Sequence, residues 1–108
     1  MSYTVLLTDD VARDLESLYD YVFEHDSPEK ADHLLKKIEQ AFSKLTSLPH
    51  RGTYPAELSE LGNREYRQVF FKPYRVIYRV IGKSVYIYLI SDGRPDMQTL
   101  LNQRLLSH

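Results

Sequence analysis

Along this chain of 108 residues the apolar period changes twice. From Ser2 to Thr8 the residues are β-branched or aromatic, with Tyr3, Val5 and Leu7 alternating, which predicts a short strand. At Thr8-Asp9-Asp10 the pattern switches. Side-chain oxygens there suit a helix N-terminus, where free amides need acceptors and carboxylates favour the dipole. Val11, Leu15, Leu18 and Val22 follow at helical spacing, widened by Ala12, Tyr19 and Phe23, and predict an amphipathic helix to about Glu24. Ser27 fits a second N-cap, and Pro28 fits the first helical position, where a missing amide costs nothing. The stripe from Ala31 through Leu34, Ile38, Phe42 and Leu45 to Leu48 then holds helical period for about five turns, until Pro49 and Gly52. So short a connection predicts an antiparallel helix pair.

Residues 49–64 carry two prolines and two glycines and read as a loop, with one possible helical turn at Glu57–Leu61. Period 2 then returns in a meander: strands at Glu65–Phe71, Tyr74–Ile81 and Ser84–Ile90, broken at Lys72-Pro73 and turned at Gly82-Lys83. Glycine first in a two-residue loop suits a type II′ hairpin. Met97–Leu106 could form a short last helix. The expected class is α+β within a single domain spanning 1–108: an N-terminal strand, an antiparallel helix hairpin, a three-stranded antiparallel meander and a C-terminal helix.

The hairpin turn fixes a register: Ile81 pairs with Ser84, Arg79 with Tyr86, Ile77 with Tyr88 and Arg75 with Ile90. One face then carries Tyr74, Val76, Tyr78, Val80, Val85, Ile87 and Leu89 and should pack on the helices. The opposite face interleaves Arg75 and Arg79 with Tyr86 and Tyr88. Guanidinium groups grip phosphates and carboxylates through a two-pronged fork and stack on aromatic rings. That face is the leading candidate for binding RNA or an acidic surface of a partner; its alternative is a solvated sheet face.

Charge sharpens this picture. The net charge is −1, yet residues 1–32 hold nine acids and two bases, and residues 64–83 hold six bases and one acid. Two faces with different partners are implied, unless the halves simply face each other or water. The acids of the first helix, Asp10, Asp14, Asp20 and Glu24, are expected on a solvated face. Cysteine is absent, which excludes disulfides, thiolate catalysis and thiolate metal sites. The four histidines lack metal-ligand spacing, and no phosphate loop or nucleophile elbow is present. No metal site and no cofactor are expected. No apolar run approaches a membrane span and no signal peptide is evident, so the expectation is a cytoplasmic protein.

In order and spacing the chain resembles the RelE/ParE toxin superfamily, and more closely its ParE branch. The match runs from Tyr3–Leu7 through Ala12, Asp14 and Leu15, then Ala31 and the Leu34–Leu48 stripe with Pro49 and Gly52. It is densest at Tyr74-Arg75-Val76-Ile77-Tyr78-Arg79-Val80 and Val85-Tyr86-Ile87. Asp92-Gly93-Arg94-Pro95-Asp96 is similar to the family's basic ending. The resemblance implies a bacterial, plasmid-stabilising type II toxin–antitoxin module. It also implies a cognate antitoxin whose extended or helical tail wraps the toxin in a hetero-oligomer. ParE-like toxins stall DNA gyrase by binding, whereas RelE-like toxins cut messenger RNA on the ribosome. Sequence-specific DNA binding by the toxin alone is not expected.

RNA cleavage needs a base, a cation for the phosphorane charge and an acid for the leaving oxygen. Here Arg75 and Arg94 match basic positions, but Pro95 stands where relatives carry a second one. The lysine pair of the preceding strand is reduced to Arg67, and Met97–His108 holds no tyrosine. With no catalytic residue assigned, the expected surface is a partner-binding one: Arg67, Arg75, Arg79, Tyr86, Tyr88 and Arg94. The alternatives are a ribosome-dependent endoribonuclease and a non-toxic module that only binds antitoxin.

Overall fold

A computed structural model describes residues 2–92 and 96–106. The elements run β1 (Thr4–Leu7), α1 (Asp9–His25), α2 (Pro28–Ser47), α3 (Ala56–Ser59), β2 (Arg67–Phe71), β3 (Tyr74–Ile81), β4 (Ser84–Ser91) and α4 (Met97–Leu106). The α+β class and the element order are those expected from the sequence. Thr8 caps α1 by accepting from the Val11 amide at 3.3 Å, and Ser27 caps α2 by accepting from the Lys30 amide at 3.1 Å.

β2, β3 and β4 form the expected antiparallel meander. β1 adds to it alongside β4 in parallel, giving the order β1-β4-β3-β2. The Thr4 amide donates to the Lys83 carbonyl at 3.0 Å, and the Thr8 amide donates to the Ile87 carbonyl at 3.2 Å. Gly82 takes φ +60°, and no non-glycine among the described residues has positive φ. Lys83 therefore has negative φ, as the type II′ turn requires and type I′ forbids.

Near that turn the register is as expected, with Ile81 opposite Ser84 and Arg79 opposite Tyr86. Beyond it the expectation fails. A bulge between Ile77 and Tyr78 leaves Tyr88 as an extra residue on β4, so Ile77 pairs with Leu89, Val76 with Ile90 and Arg75 with Ser91. One inserted residue reverses the alternation after it. Ile90 consequently joins the core under the helix pair, and Leu89 turns to the other side.

Both faces of the sheet are covered. On one side α1 and α2 pack Val11, Ile38 and Leu45 against Val76, Tyr78, Val85, Ile87 and Ile90. The Tyr19 hydroxyl donates to Asp32 at 2.7 Å across the helix pair. On the other side Ile77 and Leu89 are buried with Leu58 of α3, Tyr66, and Met97 and Leu101 of α4. The fold thus has three layers, and the arginine-bearing face is partly roofed by α4 instead of lying open.

An ion pair fastens the roof. Arg104 of α4 donates to both carboxylate oxygens of Asp14 on α1, at 2.6 and 2.8 Å, and to the Tyr88 carbonyl at 3.2 Å. Asp10 lies 3.9 Å from the same guanidinium. Two acids of the expected solvated stripe therefore hold a basic partner. The sequence places these groups 90 positions apart, so only chain folding could bring them together.

Candidate functional site

Antiparallel neighbours share a face, so the register assigns each candidate side chain. Arg75, Arg79 and Tyr86 point away from the helix pair, with Ile77 and Leu89 between them. Arg75 is nearly buried and fully engaged. Its two terminal nitrogens donate to the two Glu57 oxygens at 2.8 and 3.0 Å, and Nε donates to the Gln68 side-chain oxygen at 3.1 Å. This fork holds the Glu57 carboxyl below its usual range, chiefly by hydrogen bonding. It also ties α3 to the sheet. Arg75 is a structural clamp in this conformation, with no free donor fork to offer.

Arg79 is more available. Its guanidinium stands 3.6 Å from the exposed Glu65 and 5.8 Å from the centre of the Tyr66 ring. Tyr66 meets Tyr88 edge-on at 5.5 Å. Burial pushes the Tyr88 hydroxyl upward, so Tyr88 stays a neutral donor near neutral pH.

Arg67 pairs with Tyr78 and so leans to the helix side of the sheet. It donates to the Gly52 carbonyl at 3.0 Å, the His50 carbonyl at 3.3 Å and the Tyr54 hydroxyl at 3.1 Å. The Tyr54 ring also receives Arg64, at 5.7 Å. Beneath them the buried Tyr78 hydroxyl accepts from the Gly52 amide at 3.0 Å. A Cβ at Gly52 would lie 2.6 Å from the Gln68 carbonyl oxygen, so only glycine lets this loop pass so close.

The six expected residues therefore do not form one patch. Arg67 and Arg79, from opposite faces, line a cleft of about 280 Å³ at the end of β2 together with His50, Arg64 and the Glu65 carboxylate that pairs with Arg79. Tyr86 lies opposite Arg79, Tyr88 packs behind it, and Arg75 is held apart by Glu57. Arg94 lies outside the described residues. Sequence reasoning missed Arg64 and Tyr54, which complete the basic–aromatic cluster, and it missed Glu57, which occupies Arg75. Arg64 was legible as one base of a basic segment; nothing in the sequence pairs Glu57 with Arg75.

Chemically, the cleft can bind anions. Guanidinium groups are permanent cations that grip anions and do not serve as bases. Among the described residues no group of three or more His, Asp or Glu side chains could hold a metal ion. No helix of the described residues is long and apolar enough to cross a membrane.

A roofed meander with an arginine–tyrosine edge places this molecule among the RelE/ParE-like toxins. Residues 5–97 match the ParE toxin family of type II toxin–antitoxin systems, parDE, and the chain belongs to that family. It is 31% identical over 100 residues to Toxin ParE3 of Caulobacter vibrioides, covering 93% of this chain and 96% of that one. It also superposes on a chain of the chromosomal ParDE toxin–antitoxin system from P. aeruginosa with a TM-score of 0.69 and 25% identity, over 83% of this chain and 95% of that one. The chain is thus the toxin component of a ParE-type module, which implies a cognate antitoxin.

Proposed function

We propose that this toxin acts by binding DNA gyrase and stalling it, with no bond-breaking step of its own, and that antitoxin binding silences it. The observation that carries this reading is the engagement of Arg75. A ribonuclease would aim that cation at the scissile phosphate, but here its fork is filled by Glu57 and Gln68. The last segment also lacks a tyrosine to act as proton donor. What supports the binding reading is the exposed Arg64 beside the half-buried Arg67 and Arg79, all three among aromatic rings, a set suited to recognition of an acidic macromolecular surface.

Purified toxin should block plasmid supercoiling by gyrase and leave cell-free translation intact. Arrested translation with cut transcripts would replace this reading with the endoribonuclease one. Harmless accumulation of the toxin in cells lacking antitoxin would replace it with the antitoxin-binding module.

A further inference from the structure

Both outward arginines of β3 hold a carboxylate, and both carboxylates come from one stretch of chain. Glu57 forks onto Arg75, and Glu65 stands 3.6 Å from Arg79. The two arginines are four positions apart on one strand face, hence about 13 Å apart. Residues 55–65 thus lay an acidic strap along the arginine face, with one acid opposite each base.

Little else holds the strap. Among the described residues, every backbone hydrogen bond made by residues 55–65 ends inside the segment. The Ser59 amide donates to the Pro55 carbonyl and the Asn63 amide to the Leu58 carbonyl, both at 2.9 Å. Its apolar anchor is Leu58, buried with Ile77, Leu89 and Leu101. Next to that anchor a hollow of about 340 Å³ opens between the strap and α4, lined by Leu61, Tyr66 and Leu105. Leu61 itself is 70% exposed. A segment with self-contained bonds, one deep anchor and unfilled space behind it can lift as a unit and leave the sheet intact.

We propose that this strap is an autoinhibitory contact: it occupies Arg75 and Arg79 in the free toxin, and an acidic protein surface displaces it to bind there. The resting occupant indicates the ligand chemistry. Two carboxylates on a polypeptide, about 13 Å apart, fill the site, so the displacing surface carries carboxylates at similar spacing. Lifting the strap also bares Ile77 between the two guanidinium groups, an apolar centre flanked by arginines as in protein interfaces. Only the lifted form binds, so the fraction lifted scales the apparent affinity. The inference rests on the target-binding reading and adds its regulation.

The test uses full-length toxin and a fluorescein-labelled deca-glutamate peptide, read by anisotropy, alongside the supercoiling assay. Glu57→Gln with Glu65→Gln should tighten peptide binding at least about tenfold and lower the half-inhibiting toxin concentration by a similar factor. Leu58→Ala leaves every charge in place and should shift both in the same direction by at least about threefold. Glu16→Gln with Glu24→Gln makes the same charge change at exposed positions of α1. That pair should move either quantity by less than about twofold, because salt screens distant charges. In the parent, bound peptide should speed hydrogen exchange of the Ser59 and Asn63 amides at least about fivefold, since a helix as short as α3 does not stand alone. That readout holds even if the variants fail to fold. Unchanged or slowed exchange in the bound parent overturns the proposal, as does a folded Glu57→Gln, Glu65→Gln variant that binds the peptide no tighter. Preference for single-stranded DNA over the peptide overturns it too. Failure of the parent to inhibit supercoiling removes the gyrase reading, and the peptide and exchange measurements still decide the strap.

Discussion

Glu57 shows how one side chain changes the meaning of another. Without it, Arg75 would be an outward guanidinium ready for a partner; with it, Arg75 is a clamp between α3 and the sheet. Glu57→Gln should cost about 1–2 kcal/mol in chemical denaturation at neutral pH, the range for a charge-assisted bond at a partly exposed site. The pH dependence has a definite sign. The folded carboxyl titrates below its usual value of 4.5, so the stabilisation is full above that value and vanishes as pH falls through the lower folded one. Parent and variant should therefore converge in stability in acid. Tyr78 supports the neighbouring loop by accepting from Gly52. Tyr78→Phe strands a buried amide and should lower stability by about 1–3 kcal/mol, read as an earlier thermal transition.

At the scale of elements, α4 decides how much of the arginine face a partner can reach. The sequence offers Met97–Leu106 only as a possible short last helix, yet it buries Met97 and Leu101 over Ile77 and Leu89. Leu101→Ala should cost about 2–5 kcal/mol through the cavity it leaves. Calorimetry should report that loss, and hydrogen exchange should rise in α4 and at Leu89 while the α1–α2 core stays protected. The bulge at Tyr88 belongs to the same device. By reversing the alternation of β4 it supplies Ile90 to the helix core and Leu89 to the α4 core, so both faces of one strand become buried.

Across the whole molecule the charges partition only partly as the sequence suggested. Arg104, outside the basic segment, reaches back to Asp14 and Asp10, so the acidic helix is also a fastening surface. Five bases that form no ion pair among the described residues lie along the β2 edge: Arg64 and Arg67 at one end, and Arg51, Lys44 and Lys37 around the hollow between β2 and α2.

Local chemistry determined the elements. Caps at Thr8 and Ser27, the proline at 28, the helical stripes and the turn at Gly82-Lys83 are all properties of neighbouring residues, and each was legible from spacing alone. The ParE kinship was legible for the same reason, since it rides on short motifs in fixed order. Three matters depended on groups far apart in the chain: the parallel docking of β1 on β4, the roof of α4 over the arginine face, and the pairing of Arg75 with Glu57. A bulge also leaves no mark on alternation until the partner strand fixes the register. Whether an arginine is a free binding group or a clamp depends on what stands opposite it, and that is decided only when the chain has closed.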